Sequence, residues 1–393
     1  MTDLARIWEP KAYGPSPIRD CWWADTVAPG DWPALDGDTT TDVAIVGAGF
    51  TGLSAALHLA EAGVGVTVLD AQHPFWGASG RNGGFNCLGG AKASHDEIAK
   101  KFGQSEMLDY ARAERAAVET VGRLVDRLDL DVDRHSDGET MLAHRPKDFE
   151  HMRKRAGQIK ELYGVEPTII PPEELAQSGL NGPFHGAVTN PLGFALNPRK
   201  YARGLAHAAR DAGAAIHGHS AVTGIEPRAD GYRLHTASGT VRAKKFIIAT
   251  NGYSSDNLPS WMASRYPGLS HTDATEATIQ KKIRADFDAM FPAWRHVETP
   301  HYWSGFVCIS RDLLPYAGPI PGMEGGFAAF AYHGNGVSMG SYSGTILADL
   351  VQGRTPSTPY PAPMSHTPRR FPLGRFRRLL MRPAYLQYAL HDL

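Results

Sequence analysis

Apolar residues near the start of the chain change their spacing twice, and each change predicts a different element. Val43 to Val46 is a continuous apolar run, which is typical of a strand buried on both faces. Between Leu53 and Ala60 the apolar residues recur at the spacing of one helix face, and Val64 to Leu69 is a second apolar run. The pattern therefore predicts a strand, a helix and a second strand. Residues 1–40 show no clear period, and we expect an irregular arm there.

The middle of the chain is helical and charged over residues 92–165, with a strand predicted near Glu139 to Ala143. Asn197 precedes a proline and an amphipathic stretch, so it is expected to cap a helix that ends before Gly213. A strand-rich region follows, with a turn at Ser238-Gly239.

Two further apolar runs lie in the second half. Phe246 to Ala249 is predicted to be a buried strand that stops at Asn251-Gly252. Phe327 to Ala331 resembles another strand, and it leads through glycines into a helix predicted over Val337 to Val351.

Composition narrows the class of protein. The chain has 393 residues, 42% of them hydrophobic and 21% charged, which is an ordinary globular balance. The formal net charge of −1 means that the chain as a whole lacks the positive charge that attracts nucleic acid, so no nucleic-acid partner is expected. The 3 cysteines form no CxxC pair, the N-terminus has no apolar signal core, and the apolar stretch 43–62 is too interrupted to span a membrane. We expect a soluble, cytoplasmic protein without integral membrane association.

The segment after the first predicted strand, Gly47-Ala48-Gly49-Phe50-Thr51-Gly52, has the GxGxxG pattern of a dinucleotide site. Gly47 permits a tight turn, Gly49 lets a pyrophosphate approach the backbone, and Gly52 lets helix and strand pack closely. The helix N-terminus favours phosphates, and Asp70, after the next strand, can accept hydrogen bonds from a ribose. Asp70 disfavours NADP, whereas FAD and NAD both remain open. The alternative is a glycine-rich turn that serves packing only.

Two more glycine clusters extend this picture. Gly77 to Gly84 follows Asp70, and Ser79 and Arg81 in it can donate hydrogen bonds to a flat ring or to phosphate. His333 to Gly340 lies at a strand-to-helix junction, where a helix N-terminus can stabilise negative charge on a flavin. The alternatives are a surface loop and a tightly packed helix without a ligand.

Four stretches, TDVAIVGAGFTGLSAALHLAEAG, GASGRNGG, IIATNGY and FAYHGNGVSMGSYSG, together resemble the D-amino-acid oxidase-like family of flavoproteins, and in particular its gamma-glutamylputrescine oxidoreductase-like branch. The resemblance runs from about Cys21 to Arg354. It implies an α/β fold with a glutathione-reductase-type, Rossmann-like FAD domain. It also implies a second α+β substrate domain, here shortened, with an antiparallel sheet. The expected boundaries are 1–90, 191–256 and 313–393 for the discontinuous FAD domain, and 91–190 and 257–312 for the substrate domain.

The resemblance also implies which residues bind FAD. These are Gly47, Gly49, Phe50, Thr51, Gly52, Asp70, Ser79, Arg81, Asn82, Gly83, Val222, Thr250, Asn251, Gly252, Gly334, Asn335, Gly336, Val337 and Ser338. The residues of WSGFVCISRDLLPYAGP that match the family's approach to the flavin are Trp303, Gly305, Asp312, Pro315 and Gly318.

The reaction implied is oxidation of a C–N bond of an amine or amino acid, by hydride transfer to the flavin N5 and hydrolysis of the imine. Arg81 and the loop 334–338 are expected to tune the flavin. The candidate catalytic residues are Arg81, His333, Tyr253 and Trp303, with Tyr302 a further candidate for the pocket wall. For each aromatic or histidine candidate the alternative is a core or surface residue.

Three departures from the family pattern shape the expectations. Gly305 stands where sarcosine-oxidase relatives bond the flavin through cysteine, and Cys308 is out of register, so noncovalent FAD is expected. Sarcosine-oxidase relatives carry an oxygen-activating lysine where this chain has Ser338. The electron acceptor therefore stays open between O₂ and another compound, and the enzyme class between an oxidase and a dehydrogenase. A block of the substrate domain is missing after Ser264.

The missing block supports one alternative, a flavin-binding protein with impaired catalysis. A second alternative, an NAD-dependent dehydrogenase, leaves the C-terminal glycine cluster unexplained. Homo-oligomerisation stays open. His217 and His219 alternate along a predicted strand without further ligands at metal-binding spacing, so no metal is expected.

Overall fold

The computed structural model describes residues 21–255, 259–263, 265, 273–372 and 383. In chain order the strands in this part are β1 Thr39–Val46, β2 Val66–Leu69, β3 Phe85–Asn86, β4 Glu139–Leu142, β5 Thr168–Ile170, β6 Ala187–Asn190, β7 Phe194–Ala195, β8 Ala215–His217, β9 Gly224–Arg228, β10 Gly231–His235, β11 Thr240–Ile248, β12 Tyr316–Pro319 and β13 Gly326–Phe330. The helices are α1 Trp22–Thr26, α2 Phe50–Glu61, α3 His95–Phe102, α4 Gln104–Arg127, α5 Pro146–Tyr163, α6 Pro198–Asp211, α7 Ser260–Ala263, α8 Asp273–Met290, α9 Ser338–Val351 and α10 Ala362–Ser365.

The predicted strand–helix–strand unit is confirmed as β1, α2 and β2, and the predicted C-terminal helix as α9. The cap predicted at Asn197 is also confirmed, because its side chain accepts hydrogen bonds from the backbone N–H groups of Arg199 and Lys200 at the start of α6. The arm predicted over residues 1–40 contains α1, and its residues 1–20 lie outside the described part, as do 264 and 266–272 of the predicted gap.

Strand β11 is longer than the apolar run that predicted it. Its first half alternates between buried and exposed residues, with Val241 and Ala243 buried, because this half pairs with β10 and buries one face. Only its end, Phe246 to Ile248, is buried on both faces. A search for continuous apolar runs therefore finds the second half alone.

The main sheet has the strand order β12-β13-β11-β1-β2-β8, and β10 and β9 extend it beside β11. Strands β13, β11, β1, β2 and β8 are parallel, whereas β12 is antiparallel to β13. The carboxyl ends of β1, β2 and β11 therefore meet at one edge, where ligands bind in open α/β sheets.

Side chains from alternate positions of β1 enter two separate cores. Ile45 packs with α2, α4, α6 and α9 on one face of the sheet. Ala44 and Val46 pack on the other face, with β10 and β13. This arrangement of helices on a mostly parallel sheet confirms the predicted α/β class.

A second, antiparallel sheet of order β4-β6-β5 lies in residues 139–190, and β3 pairs with β7 in a short ribbon. These strands form the predicted α+β part of the molecule. The exact domain boundaries stay a prediction. No helix in the described part of the chain is long and apolar enough to cross a membrane.

Candidate functional site

A cavity of about 690 Å³ opens at the carboxyl ends of β1, β2 and β11. This volume lies in the range of small-molecule sites. Asp70 and Arg81 are the charged side chains of its described lining, and the rest of the wall consists of apolar, aromatic and uncharged polar residues. All three glycine clusters of the sequence contribute residues to it.

The turn between β1 and α2 forms one side of the cavity through Gly47, Gly49, Phe50 and Thr51. Gly47 has φ +101°, and a Cβ there would lie 3.0 Å from the carbonyl oxygen of Ala249, so the turn requires glycine.

Gly52, the last glycine of the pattern, does not line the cavity. A Cβ on Gly52 would lie 1.9 Å from the carbonyl oxygen of Gly47, so α2 packs directly on the turn. This is the close packing expected of the third glycine.

Asp70 follows β2 and faces the cavity. Its Oδ2 accepts a hydrogen bond from Ala48 N at 2.7 Å, and its Oδ1 accepts one from Gln72 N at 2.9 Å. Burial raises the pKa of Asp70 to about 6, and the two backbone N–H groups and His219 only partly oppose this effect. The two hydrogen bonds hold the carboxylate in one orientation beside the first glycine turn.

The glycine-rich loop after Asp70 contains a 3₁₀ turn, Ala78–Gly80, and meets the N-terminus of α2. The Phe50 backbone N–H donates to Ser79 Oγ at 2.9 Å. The Asn82 side chain donates to Ala78 O and accepts from Gly84 N, which closes the loop.

Ser79 and Asn82 line the cavity, whereas Gly83 does not. A Cβ on Gly83 would lie 2.8 Å from the ring of Phe85, so this glycine permits a close contact.

Arg81 is 4% exposed, and its guanidinium lies between two aromatic rings. Its carbon Cζ is 4.4 Å from the ring centroid of Trp76 and 5.3 Å from that of Tyr253. Nη2 donates to Trp76 O at 2.6 Å, but the buried Nη1 has no hydrogen-bond partner. Burial lowers the pKa of Arg81, and no carboxylate in the described part of the chain forms an ion pair with it. A buried cationic donor without a partner fits an anionic or oxygen-rich ligand.

The segments after β8 and β11 complete the wall. Val222 lines the cavity together with Ala221 and Thr223, and Thr250 and Asn251 line it after β11. Asn251 Oδ1 accepts a hydrogen bond from Ala331 N at 2.9 Å, which ties this strand end to β13.

Gly252 lies outside the lining. A Cβ there would lie 3.3 Å from the carbonyl oxygen of Phe306. It therefore permits the close approach of the segment that follows Trp303.

In the loop before α9, too, some of the predicted cofactor-binding residues line the cavity and others do not. Gly334 and Gly336 line the cavity, whereas Asn335, Val337 and Ser338 hold the helix in place. Ser338 Oγ donates to Cys87 O at 2.9 Å, and Asn335 Nδ2 donates to the same oxygen at 2.9 Å. These bonds fasten the start of α9 to the end of β3.

Of the candidate catalytic residues, Arg81 and Tyr253 line the cavity. Burial raises the pKa of Tyr253, and its hydroxyl oxygen accepts from Phe306 N at 3.2 Å. Trp303 and Tyr302 are half-buried outside the lining. Trp303 Nε1 donates to Arg81 O at 2.8 Å.

His333 is 6% exposed and lies outside the cavity lining. Its Nδ1–H donates to the carbonyl oxygen of Gly90 at 2.7 Å, so Nε2 is the acceptor from Ser310 N at 3.2 Å. Burial lowers the pKa of His333 to about 4, which keeps the ring neutral. Both ring nitrogens are thus engaged by the backbone.

The segment WSGFVCISRDLLPYAGP, matched in the sequence to the part of the family that approaches the flavin, lies only partly at the cavity. Phe306, Val307 and Cys308 line the cavity. A Cβ on Gly305 would lie 3.2 Å from Arg81 Cδ, so a larger side chain there would press on the Arg81 side chain. Asp312 instead accepts from the backbone N–H and Nε of Arg369 in the C-terminal segment.

Pro315 directly precedes β12, and Gly318 lies in that strand, and neither lines the cavity.

Two residues near the site were missed by sequence reasoning. Trp23 donates to Asn82 O at 2.8 Å from the N-terminal arm, and no periodicity marked it. Arg199 is 2% exposed in the first turn of α6, and its Nη1 has no partner. A basic residue in a first helical turn is unfavourable for the helix dipole, and this signal could have singled out Arg199. No group of His, Cys, Asp or Glu that could hold a metal occurs among the described residues.

The residues present fit a dinucleotide on four counts. The cavity has a glycine turn at a helix N-terminus, an oriented carboxylate after the second strand, a buried guanidinium whose Nη1 has no hydrogen-bond partner, and aromatic residues in its wall.

Comparison with known proteins places these features in a family. The family model described as FAD dependent oxidoreductase matches residues 42–267 and 261–350. The chain is 27% identical to the probable oxidoreductase OrdL of Rhizobium meliloti, over 94% of this chain and 99% of the relative. It is 26% identical to gamma-glutamylputrescine oxidoreductase of Escherichia coli, over 94% of this chain and 96% of the relative.

Solved structures share the fold. Glycine oxidase from Geobacillus kaustophilus superposes with a TM-score of 0.68 at 20% identity, over 83% of this chain and 98% of that one. L-amino acid deaminase from Proteus vulgaris, with its specific insertion sequence deleted, also gives a TM-score of 0.68, at 18% identity, over 91% of this chain and 99% of that one.

Proposed function

The chain belongs to the family of FAD dependent oxidoreductases, with FAD as cofactor, and from this premise we propose that it oxidises a C–N bond of an amine or amino acid. The relatives support this class of substrate, since one is named for gamma-glutamylputrescine and another is a glycine oxidase. The observation that carries the proposal is the buried guanidinium of Arg81, which lies between Trp76 and Tyr253 in the wall of the cavity and whose Nη1 has no hydrogen-bond partner.

We assign cofactor binding to the three glycine clusters and the residues around them. Asp70 would hold the ribose of the adenosine, and the N-terminus of α2 with Ser79 would hold the pyrophosphate. Val222, Thr250, Gly334 and the other lining residues would surround the rest of the cofactor. Gly52, Gly83, Gly252, Asn335, Val337 and Ser338 would act by shaping this wall rather than by touching the ligand.

Bound FAD supplies the acceptor for a hydride from the carbon next to a neutral amine, and water then hydrolyses the imine to a carbonyl compound and a released amine. Arg81 would stabilise the negative charge that the cofactor gains. Trp76, Tyr253 and Phe306 would exclude water from the reacting carbon. Because burial raises the pKa of Tyr253, its phenol stays protonated at neutral pH and serves as a hydrogen-bonding group rather than as a base.

His333 is not assigned a proton-transfer role here. Its ring is neutral, and both nitrogens bind backbone groups, so we assign it to holding the segment at Ser310 against Gly90. The amine would therefore arrive in its neutral form.

We also propose that FAD is bound noncovalently. Gly305 supplies no thiol where the covalent relatives have cysteine, and burial raises the pKa of the Cys308 thiol, which disfavours its thiolate. Acid precipitation of the purified holoenzyme tests this directly. A yellow supernatant with the absorption spectrum of FAD is expected, and a yellow pellet with a colourless supernatant would contradict it.

Anaerobic mixing of the holoenzyme with single substrates tests the reaction. The panel contains glycine, other L- and D-amino acids, monoamines, diamines and γ-glutamylputrescine. Bleaching of the flavin band by a subset of these compounds, with release of an equivalent of carbonyl compound, is the expected result. Reoxidation of the bleached enzyme by O₂ or by an artificial quinone then identifies the acceptor.

A second candidate is a flavin-binding protein with impaired catalysis. Two observations favour it. The family model matches in two pieces that meet at residues 261–267. The alignment with the Rhizobium relative spans 433 positions, more than the 393 residues of this chain, so that relative carries residues that this chain lacks. Bleaching by dithionite, but by none of the amines, would favour this candidate.

A further inference from the structure

Two tryptophans bind consecutive carbonyl groups of the loop that carries Arg81. Trp303 Nε1 donates to Arg81 O at 2.8 Å, and Trp23 Nε1 donates to Asn82 O at 2.8 Å. The two indole rings meet edge to face, with centroids 6.5 Å apart. We call Trp23 and Trp303 the tryptophan pair.

The tryptophan pair comes from outside the element that it holds. Trp23 lies in α1 of the N-terminal arm, 59 positions from Asn82, and Trp303 lies 222 positions from Arg81. Neither residue belongs to the main sheet or to the cavity lining. Their contact with the loop is therefore a tertiary arrangement that secondary structure does not impose.

The bonded carbonyls matter because the Arg81 backbone sets the position of its side chain. The guanidinium is held on one side by the carbonyl oxygens of Trp76 and Gly77, which accept from Nε and Nη2. Its Nη1 is left without a partner in the buried wall. A shift of the 81–82 peptide would move the charge relative to both aromatic rings and to any ligand of the cavity.

We propose that the tryptophan pair consists of positioning residues, which fix the Arg81 charge beside the bound cofactor and thereby set its reduction potential. The proposal rests on the proposed function in assigning the cavity to FAD, but it does not require that an amine substrate be known. Indole donors suit this task, because a rigid ring with one N–H allows few alternative geometries.

The test uses Trp→Phe variants, which keep an aromatic ring and remove the N–H donor. The variants are Trp23→Phe, Trp303→Phe and the double variant. Trp22→Phe is the matched control, since Trp22 is the next residue in α1, is 47% exposed and packs on His301. Thermal unfolding of each holoenzyme establishes that the variants are folded.

Two readouts separate positioning from general packing. The first is the dissociation constant of FAD, measured by flavin fluorescence. We expect a rise of about two- to ten-fold for each member of the pair, as for the loss of one hydrogen bond, and no change for Trp22→Phe. The second is the midpoint potential, measured by dye-coupled reduction without any amine. It should fall in both pair variants, because the cation then stabilises the reduced cofactor less well.

Coupling to Arg81 decides the case. Arg81→Gln removes the charge, so Trp303→Phe should lower the midpoint potential in the wild-type background and leave it unchanged in the Arg81→Gln background. Equal shifts in both backgrounds would refute the proposal, as would pair variants that lower the unfolding temperature but keep the wild-type potential. Because no substrate is involved, absence of amine oxidation would count against the proposed function alone.

Discussion

Binding of FAD should weaken as the pH falls through 6, because Asp70 holds a ribose best while it is ionised. Burial raises the pKa of this carboxyl from 3.8 to about 6 in the ligand-free protein. An ionised carboxylate accepts hydrogen bonds from both hydroxyls of a ribose, whereas a protonated one has lost part of this capacity. The experiment changes only the pH, and it does so within a range where most proteins remain folded.

The pKa gives the size of the effect. With a pKa of about 6, roughly half of the Asp70 carboxyls are ionised at pH 6 and about one in eleven at pH 5. If FAD binds the ionised form, its dissociation constant rises about two-fold at pH 6 and about ten-fold at pH 5, relative to pH 8. Stability of the ligand-free protein has the opposite sign. A carboxyl with a raised folded pKa favours folding at low pH, so the contribution of Asp70 improves as binding weakens.

Fluorescence titration of the apoprotein with FAD at pH 8, 7, 6 and 5 measures this dependence. Asp70→Asn cannot titrate, so its dissociation constant should be higher than wild type at pH 8 and nearly constant across the series. His219→Gln is a useful control, since a charge on His219 would favour the ionised carboxylate. His73 and His333 do not interfere, because burial lowers the pKa of each to about 4.

A wild-type dissociation constant that stays level from pH 8 to pH 5 would refute this account of Asp70. So would an Asp70→Asn variant with the same pH dependence as wild type, because the titrating group would then lie elsewhere. Unfolding at pH 5 would also abolish the binding of FAD. Circular dichroism at each pH distinguishes this case from protonation of Asp70.

Three further predictions concern single side chains. Gly52→Ala places a Cβ 1.9 Å from a carbonyl oxygen, so we expect it to lower the free energy of unfolding in urea by about 3 kcal/mol or more. Gly157→Ala, in an open position of α5, is the control and should raise that free energy by about 0.5–1 kcal/mol. Tyr163→Phe removes a 2.7 Å hydrogen bond to the buried Glu114, which should cost about 1–3 kcal/mol in the same assay and leave the affinity for FAD unchanged. Arg81→Gln should slow reduction of the flavin by the best amine about ten-fold or more in stopped-flow measurements, and an unchanged rate would remove Arg81 from the reacting site.

Much of the geometry around the first glycine turn follows from local sequence, because each feature there depends on a few neighbouring residues. The tight turn at Gly47 and the helix contact at Gly52 are set by strand, turn and helix in immediate succession. Asp70 directly follows β2, the next strand of the same unit, so its place beside the turn follows from parallel pairing of β1 with β2. Periodicity and spacing therefore sufficed to predict these positions.

The other end of the cavity depends on contacts between distant segments, and sequence patterns do not encode these. His333 was a candidate catalytic residue by its place in a glycine cluster, yet its ring binds Gly90 and Ser310, two segments that no spacing connects to it. Trp303 was expected near the flavin, and only the fold shows that its N–H meets Arg81 O. Trp23, from an arm without periodicity, escaped prediction for the same reason.

The charges around the cavity connect its stability with its function. Arg81 and Arg199 are both buried, burial lowers the pKa of each, and the positive charge of Arg81 lowers that of Arg199 further. Each has an Nη1 without a hydrogen-bond partner, and no carboxylate in the described residues is ion-paired with either. Backbone carbonyl groups and aromatic rings offset part of the cost of burying each cation, but the two Nη1 groups without partners leave part of that cost in place. The pyrophosphate of FAD supplies negative charge, and a ligand that binds only the folded state stabilises it. The Arg81 cation in the cavity wall therefore favours an anionic cofactor. Its glycine cluster marked Arg81 in the sequence, whereas Arg199, which lies outside the cavity lining, carried only the signal of a basic residue in the first turn of α6.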